Sequence, residues 1–436
     1  MKDNHDPRSA PRPPLHLKRP LRVLISGYRS HPHVGGQGVY VRELSRALRT
    51  AGCEVSVISG PPYPELDEGI ELIRLPSLDL FTVDNAFKAL RWHHLKNKAD
   101  RGEWLAHNTG AFGELTAFGR RLNAFLKREG HRFDVLHDNQ TLAPAMIAID
   151  QRLPVITTLH HPIAIDLDFA LQGQDKRIER VLTRRWYSFI KRQAYTAQRL
   201  RYFLAVSEAS KISYGQYCGV KPQGVHIAYN GLDHNLFYPD PSVQRDPNRL
   251  IAVASADVPI KGLDVIIAAL AHLVPTRPDL RLTVIGALRD GPTKRALEDH
   301  NLMDHVTFRS GLSSQDMAKA FREAGLFVSA SRFEGFGFPP AEAMACGTPV
   351  VVSDGGALPE VAGPAGLVTP VNDSAALATA IAHMLDHPEE ARHRAQLGLD
   401  HVQRHFTWSH HADSAIALYQ RALGLAPALH PAQAAE

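Results

Sequence analysis

At 436 residues the chain is long enough for two or three domains of roughly 150 residues each. Its 44% hydrophobic and 22% charged residues are an ordinary globular balance that can fill full-sized cores. A formal net charge of +4 is too mild to point to nucleic acid, and no stretch nears the roughly 20 apolar residues that a membrane-crossing helix needs.

The first 20 residues, MKDNHDPRSAPRPPLHLKRP, are Pro-rich and basic without an apolar stretch, and read as a disordered leader. The first strand is Leu21–Ser26. It runs into the loop HPHVGGQGVY, an amphipathic helix carrying Leu44, Ala47 and Leu48 on one face, and a second strand, CEVSVIS. Strand, Gly-rich loop, helix and strand open a parallel α/β sheet. FDVLHDN, PVITTLHH, RYFLAVS and GVHIAYNG continue the pattern, whereas residues 82–130 read as helical and polar with no assignable chemistry.

After Asn230-Gly231 the segment LDHNLFYPDPSVQRDPNR is rich in Pro, Asp and Asn and reads as a linker. The grammar then restarts with LIAVASA, GLDVIIAALAHLV, LRLTVIGAL, HVTFRSG, DMAKAFREA, LFVSASR, PAEAMACG and TPVVVSD. The expected organisation is α/β, with two Rossmann-like doubly wound parallel-sheet domains around a cleft. The first spans 21–235 and the second 245–407. A helix over 408–425, with Trp408, Ile416, Leu418 and Tyr419 for packing, completes the first, and 426–436 is a frayed tail. Cys53, Cys218 and Cys346 are isolated and lack metal-ligand spacing, which fits a reducing cytoplasm rather than a disulfide framework.

In such sheets ligands bind beyond the carboxyl ends of the strands, so the loops that follow strands carry the chemistry. Gly35, Gly36 and Gly38 can let backbone N–H groups and a helix N-terminus approach a phosphate, or can simply satisfy a tight turn. Their spacing is not that of a dinucleotide fingerprint, and no acidic ribose partner follows, which argues against an oxidoreductase. His160 ends a strand and can meet a sugar hydroxyl, although 24 histidines make most of them incidental. His31 and His33 have no accompanying carboxylate or thiol set, so no metal site is expected. Lys261, in Lys261-Gly262, can neutralise a diphosphate as a point charge, or can simply be a solvated lysine before a helix.

The stretch 331–363, SRFEGFGFPPAEAMACGTPVVVSDGGALPEVAG, is the richest. Glu334 stands on a glycine-rich loop, Pro339-Pro340 start a helix, and Glu342 is expected on its first turn, where a carboxylate is favoured. Two carboxylates in one cleft suit a ligand with several hydroxyl groups.

These residues resemble the family-4 retaining glycosyltransferases of GT-B fold. Glu334-Gly-Phe-Gly-Phe-Pro-Pro-Ala-Glu342 is similar to their Glu-x7-Glu signature, and GTPVVVSDGGALPEV to the segment after it. Gly35-Gly36-x-Gly38, the Thr-x-His ending at His160, AVSEASK, Asn230-Gly231-Leu232-Asp233, Lys261-Gly262 and the terminal FTW helix match in order over about residues 21–425. The resemblance implies that Glu334 contacts donor-sugar hydroxyls, with the amides of Gly335, Phe336 and Gly337 nearby, and that Glu342 binds the ribose. Lys261 would stabilise the departing diphosphate, Gly36 and its neighbours would approach the same phosphates, and His160 would lie beside the transferred sugar.

It further implies transfer of a hexosyl unit, with retention and without metal or other cofactor, from a nucleotide-diphosphate sugar to a glycan, lipid-linked or small-molecule acceptor. One departure stands out. Ala256 occupies the position five residues before Lys261 where the family has an arginine, so the two-cation clamp is reduced to one. That departure sustains a second reading, a catalytically weakened nucleotide-sugar-binding partner protein.

Residues 176–203 read as one basic helix, with nine Lys or Arg against Glu179 and with Trp186, Tyr187, Phe189 and Tyr195 interleaved. Read functionally, it is a peripheral contact with an anionic inner membrane face. Read blandly, its long side chains cover a core face.

Overall fold

The computed structural model describes residues 19–31, 36–82, 85–254 and 258–425. Gly35, Ala256, the tail 426–436 and all but the end of the expected leader lie outside the described residues. Arg19, assigned to that leader, is instead tied down: its guanidinium forms two hydrogen bonds to Asp134, at 2.7 and 2.8 Å.

Two all-parallel sheets organise the chain. The first contains β1 (Arg22–Gly27), β2 (Glu54–Ser59), β3 (Glu71–Arg74), β4 (Val135–Asn139), β5 (Val155–Leu159), β6 (Tyr202–Ala205) and β7 (Val225–Ile227), in the order β3-β2-β1-β4-β5-β6-β7. The second contains β8 (Asp246–Val253), β9 (Arg281–Ile285), β10 (Val306–Arg309), β11 (Ala324–Ser329), β12 (Val350–Ser353) and β13 (Leu367–Thr369), in the order β10-β9-β8-β11-β12-β13. Each order reverses once, between β1 and β4 and between β8 and β11. The expected doubly wound architecture is present in both halves.

The strands form where the sequence offers short β-branched runs, because a parallel sheet is covered on both faces and tolerates apolar residues at every position. Alternate residues of β1 enter different cores: Leu24 joins Ile58, Phe118 and Leu122, while Val23 and Ile25 join Tyr40, Val41 and Leu44. The second sheet is sandwiched likewise between a core around Phe321, Phe327 and Met344 and another around Ile266, Leu270 and Val284. The helix Trp408–Leu423 lies against the first sheet, where Ala412, Ala415, Leu418 and Tyr419 are buried among β1 and the helix Gly36–Thr50.

Two boundaries differ from the sequence reading. β8 begins at Asp246, so the last residues read as linker are strand; Asp246 pairs with Ala324 beside a register shift in β11. The helix after Glu334 starts at Phe338, capped by Gly337 in the left-handed region (φ 101°), which places Glu342 in the second turn rather than the first.

The basic stretch 176–203 is not one helix. It comprises the helix Arg177–Trp186, a 3-10 turn Tyr187–Phe189, the helix Ile190–Ala197 and the start of β6. Phe189 and Gln193 are buried at this break, so the chain bends inward where a continuous surface helix would have continued out.

Candidate active site

The loops after β8 and β11 meet at the switch point of the second sheet. Lys261 ends the 3-10 turn Pro259–Lys261, and its Nζ lies 2.7 Å from Glu334 Oε1. Ser331 Oγ donates to the same carboxylate oxygen at 2.9 Å. Gly262 turns the chain at φ 63°, and a Cβ there would stand 1.9 Å from the Ala330 carbonyl, so the lysine loop lies directly on the glutamate loop. Arg332 locks the two together: it forms a bidentate pair with Asp264 (3.0 and 2.7 Å) and donates to the Pro259 carbonyl, while its amide donates to Ile260.

Behind Glu334, Gly355 and Gly356 allow backbone to pass backbone. A Cβ on Gly355 would meet the Ser331 carbonyl at 2.0 Å, and Ala357 N donates to the Glu334 carbonyl at 2.9 Å. The carboxylate of Glu334 is thereby fixed at the mouth of the loop.

Across the cleft, His160 follows β5. Its Nε2 lies 2.7 Å from Asn139 Oδ1 at the end of β4, so with the amide oxygen as acceptor Nε2 carries the ring proton. The ring packs edge-on against Tyr40 with centroids 4.5 Å apart. Burial, with His411 nearby, drives its pKa down to about 3, which keeps it neutral at physiological pH.

Gln140 and Leu142, just after β4, adopt positive φ angles of 53° and 48°, a strained arrangement at the switch point of the first sheet. That turn lets the Gln140 amide grip the neighbouring loop: its Oε1 accepts from the amides of His160 (2.5 Å) and His161 (3.0 Å), and its Nε2 donates to the His161 carbonyl (2.7 Å).

The two halves touch at Gly335. A Cβ there would lie 2.0 Å from the His160 carbonyl, so only glycine permits this approach. Ser207 Oγ donates to the Gly335 carbonyl at 2.6 Å, and Ser210 Oγ lies 2.6 Å from the His160 carbonyl and 2.9 Å from that of Gly335. Glu360 adds a second tie. Its carboxylate accepts from the Glu208 amide (2.8 Å) at a helix N-terminus and from the Tyr229 hydroxyl (2.7 Å).

Lys261, Glu334, Gly335 and His160 therefore come together. Gly36 opens its helix opposite Phe338, to whose ring a Cβ on Gly36 would be 3.8 Å. Gly38 answers a packing demand, because a Cβ would strike the His31 carbonyl at 2.0 Å. Phe336 turns its ring into the core against Phe338 and Phe406, leaving its backbone to the loop. Gly337 supplies the positive φ that starts the next helix.

Glu342 stands on that helix. Burial pushes its carboxyl up to about 7, and no hydrogen bond reaches it among the described residues. No group of three or more His, Cys, Asp or Glu with metal-binding geometry occurs among the described residues. Sequence reasoning did not find Arg332, Gln140, Asn139 or Glu360. Glu360 lies in the GGALPEV segment and Ser207 and Ser210 in AVSEASK, so their positions were marked, but not what they hold.

The profile described as Glycosyl transferases group 1 matches residues 238–398, and that described as Glycosyltransferase Family 4 matches residues 34–236. An MMP alpha-(1->4)-mannosyltransferase of Mycolicibacterium hassiacum is 38% identical over 410 residues, spanning 92% of this chain and 98% of that protein. Two solved structures share the fold. Sucrose-phosphate synthase from Thermosynechococcus elongatus has a TM-score of 0.68 at 23% identity, covering 92% of this chain and 98% of that one. Anabaena HepE in complex with UDP-glucose has a TM-score of 0.64 at 17% identity, covering 91% and 99%. Fold and sequence together define a two-domain glycosyltransferase of GT-B architecture. The chain belongs to glycosyltransferase family 4.

Proposed function

We propose that this glycosyltransferase moves a mannosyl unit, with retention and without a metal ion, from a nucleoside-diphosphate sugar to an acceptor glycan. The sugar and an α-(1→4) bond follow the name of the M. hassiacum relative, which aligns along nearly the whole chain. The observation that carries the reading is the Lys261–Glu334 pair at the β8–β11 switch point, one glycine from His160 of the opposite half.

In this reading the bond from the anomeric carbon to the diphosphate oxygen breaks while the acceptor oxygen bonds the same carbon from the same face. The acceptor proton passes to a phosphate oxygen of the leaving group. Lys261 is held ready by Glu334 and turns to the diphosphate as its charge develops, a preorganised cation in place of a metal. Glu334 then accepts hydrogen bonds from sugar hydroxyls. Neutral His160 meets the sugar as a hydrogen-bonding group, not as an ion. Glu342 takes the ribose hydroxyls. With Ala256 where the family places an arginine, Lys261 is the one cation that the family pattern assigns to the diphosphate.

The test is Lys261→Ala, assayed for mannosyl transfer in the presence of EDTA. Turnover is expected to survive EDTA in the native protein and to fall about 10²–10³-fold in the variant. The thermal shift given by the nucleoside diphosphate should be smaller but still present. Transfer by the variant at the native rate, or a strict need for a divalent ion, would overturn the assignment.

A further inference from the structure

The helix Arg177–Trp186 buries none of its residues. Ile178, Val181 and Leu182 recur at helical spacing on one face, and all three are exposed, Ile178 by 63%. The bland reading of this segment, long cationic side chains shielding a core face, therefore does not describe this helix: its apolar face points outward.

A second exposed set lies in residues 85–105, where sequence reasoning assigned no chemistry. Trp92 is 87% exposed on the 3-10 helix Trp92–Lys96, and Phe87 and Leu105 are exposed beside it. The two sets adjoin. Phe87 packs on Trp104 of the helix Lys98–Asn108, at 6.0 Å between ring centroids, and Arg185 donates to the Thr109 carbonyl just beyond that helix at 3.2 Å. Large exposed apolar groups concentrated in neighbouring segments mark a contact surface, whereas scattered ones need no explanation.

The charge of the patch selects its partner. Lys88, Arg91, Lys96 and Lys98 are exposed, as are Arg177 and Arg184, and none forms an ion pair among the described residues. The two acids of residues 85–108, Asp100 and Glu103, are buried and pair inward with Arg121 at 2.6 Å each. A second copy of the chain would bring like charges together across a twofold contact. A tryptophan and aliphatic groups ringed by unpaired cations suit the boundary between lipid headgroups and acyl chains.

We propose that the first domain docks on an anionic lipid surface through the 3-10 helix Trp92–Lys96 and the outward face of the helix Arg177–Trp186. The helix Ile190–Ala197, also basic, takes no part, because Gln193, Thr196 and Ala197 anchor it in the fold.

Flotation of the full chain with vesicles of phosphatidylcholine, alone or mixed with phosphatidylglycerol, tests this. Binding is expected only to the anionic vesicles, weakening with salt and by about fivefold for each of Lys96→Gln and Arg184→Gln. Trp92→Ala combined with Leu182→Glu should lose about tenfold or more, with transfer to a water-soluble acceptor and thermal stability unchanged. Equal binding to neutral vesicles, no binding at all, or a double variant that floats like the native protein would overturn the proposal. So would a dimer abolished by Leu182→Glu in a chain that ignores vesicles.

Discussion

At Glu342, burial and the proposed donor role pull in opposite directions. A carboxyl pushed up to about 7 is largely neutral below that pH and ionised above it. If the ionised form accepts the ribose hydroxyls, donor KM should rise as pH falls from about 8 to about 6, with a smaller change in kcat. Stability runs the other way. The folded protein binds an extra proton between the ordinary carboxylate value of 4.5 and about 7, so Glu342 costs stability progressively as pH rises through that window. Glu342→Gln should therefore melt higher than the native chain at about pH 8, melt alongside it near pH 4, and show a raised KM that no longer depends on pH across neutrality. Steady-state kinetics and thermal melts at a series of pH values check both halves. A flat native KM profile would overturn the proposed donor role of Glu342.

At the scale of elements, the C-terminal helix is attached by a buried polar network as well as by apolar packing. His411 Nε2 lies 2.9 Å from the Tyr40 hydroxyl, which lies 2.8 Å from Thr158 Oγ1. His137 bridges Thr158 at 2.6 Å and Tyr419 at 2.5 Å. Burial drives His411 down to about 4 and His137 to about 3, from an ordinary value of 6.5. Both are neutral in the fold and must take up protons on unfolding. Their contribution is complete above about pH 6.5 and is lost as pH falls toward 3–4. The melting temperature should fall across that window. His411→Gln should lower stability near neutrality by about 1–3 kcal/mol, through hydroxyl and carbonyl partners left unpaired, and should flatten the acid limb. Thermal melts of both proteins from neutral to acid pH decide it, and parallel acid limbs would show that His411 does not carry the effect.

The whole molecule is two cored sheets whose mutual setting rests on shared apolar packing, with Val206, Ala209 and Tyr229 of the first half against the second half's core, and on a set of polar ties. Glu360 of the second domain caps the helix Glu208–Cys218 of the first and accepts from Tyr229, while Ser207 and Ser210 hold the Gly335 carbonyl. Removing the Glu360 carboxylate takes a partner from the Glu208 and Ala209 amides and the Tyr229 phenol but deletes no buried apolar side chain. Glu360→Ala should therefore cost only about 1–3 kcal/mol in stability while widening the average domain separation, seen as a larger radius of gyration in small-angle scattering. On the proposed mechanism turnover should fall more than stability does, because Glu334 and His160 there meet one sugar. Unchanged scattering and turnover would show that the Gly335 contact and the packing around Val206 set the cleft without Glu360.

The division between what was legible in the chain and what was not follows from range. Parallel strands are buried on both faces, so Val23–Ile25 and Val350–Val352 stand out as apolar runs, and the doubly wound fold could be read from such runs and the glycines between them. Lys261-Gly262 and the Glu334-to-Glu342 spacing stand out in the sequence because each is a local pattern that resembles a family motif. The edge strands β3 and β13 were not, being only four and three residues long and part-exposed. Nor was the break in the basic stretch, which depends on Phe189 and Gln193 finding room in a core built by distant segments. Local sequence encodes strands, turns and caps through short-range sterics and burial. Whether a glycine must yield to a particular carbonyl, as Gly335 does to His160, or a cation faces its carboxylate, as Lys261 does Glu334, is decided only when segments far apart in the chain are packed against one another.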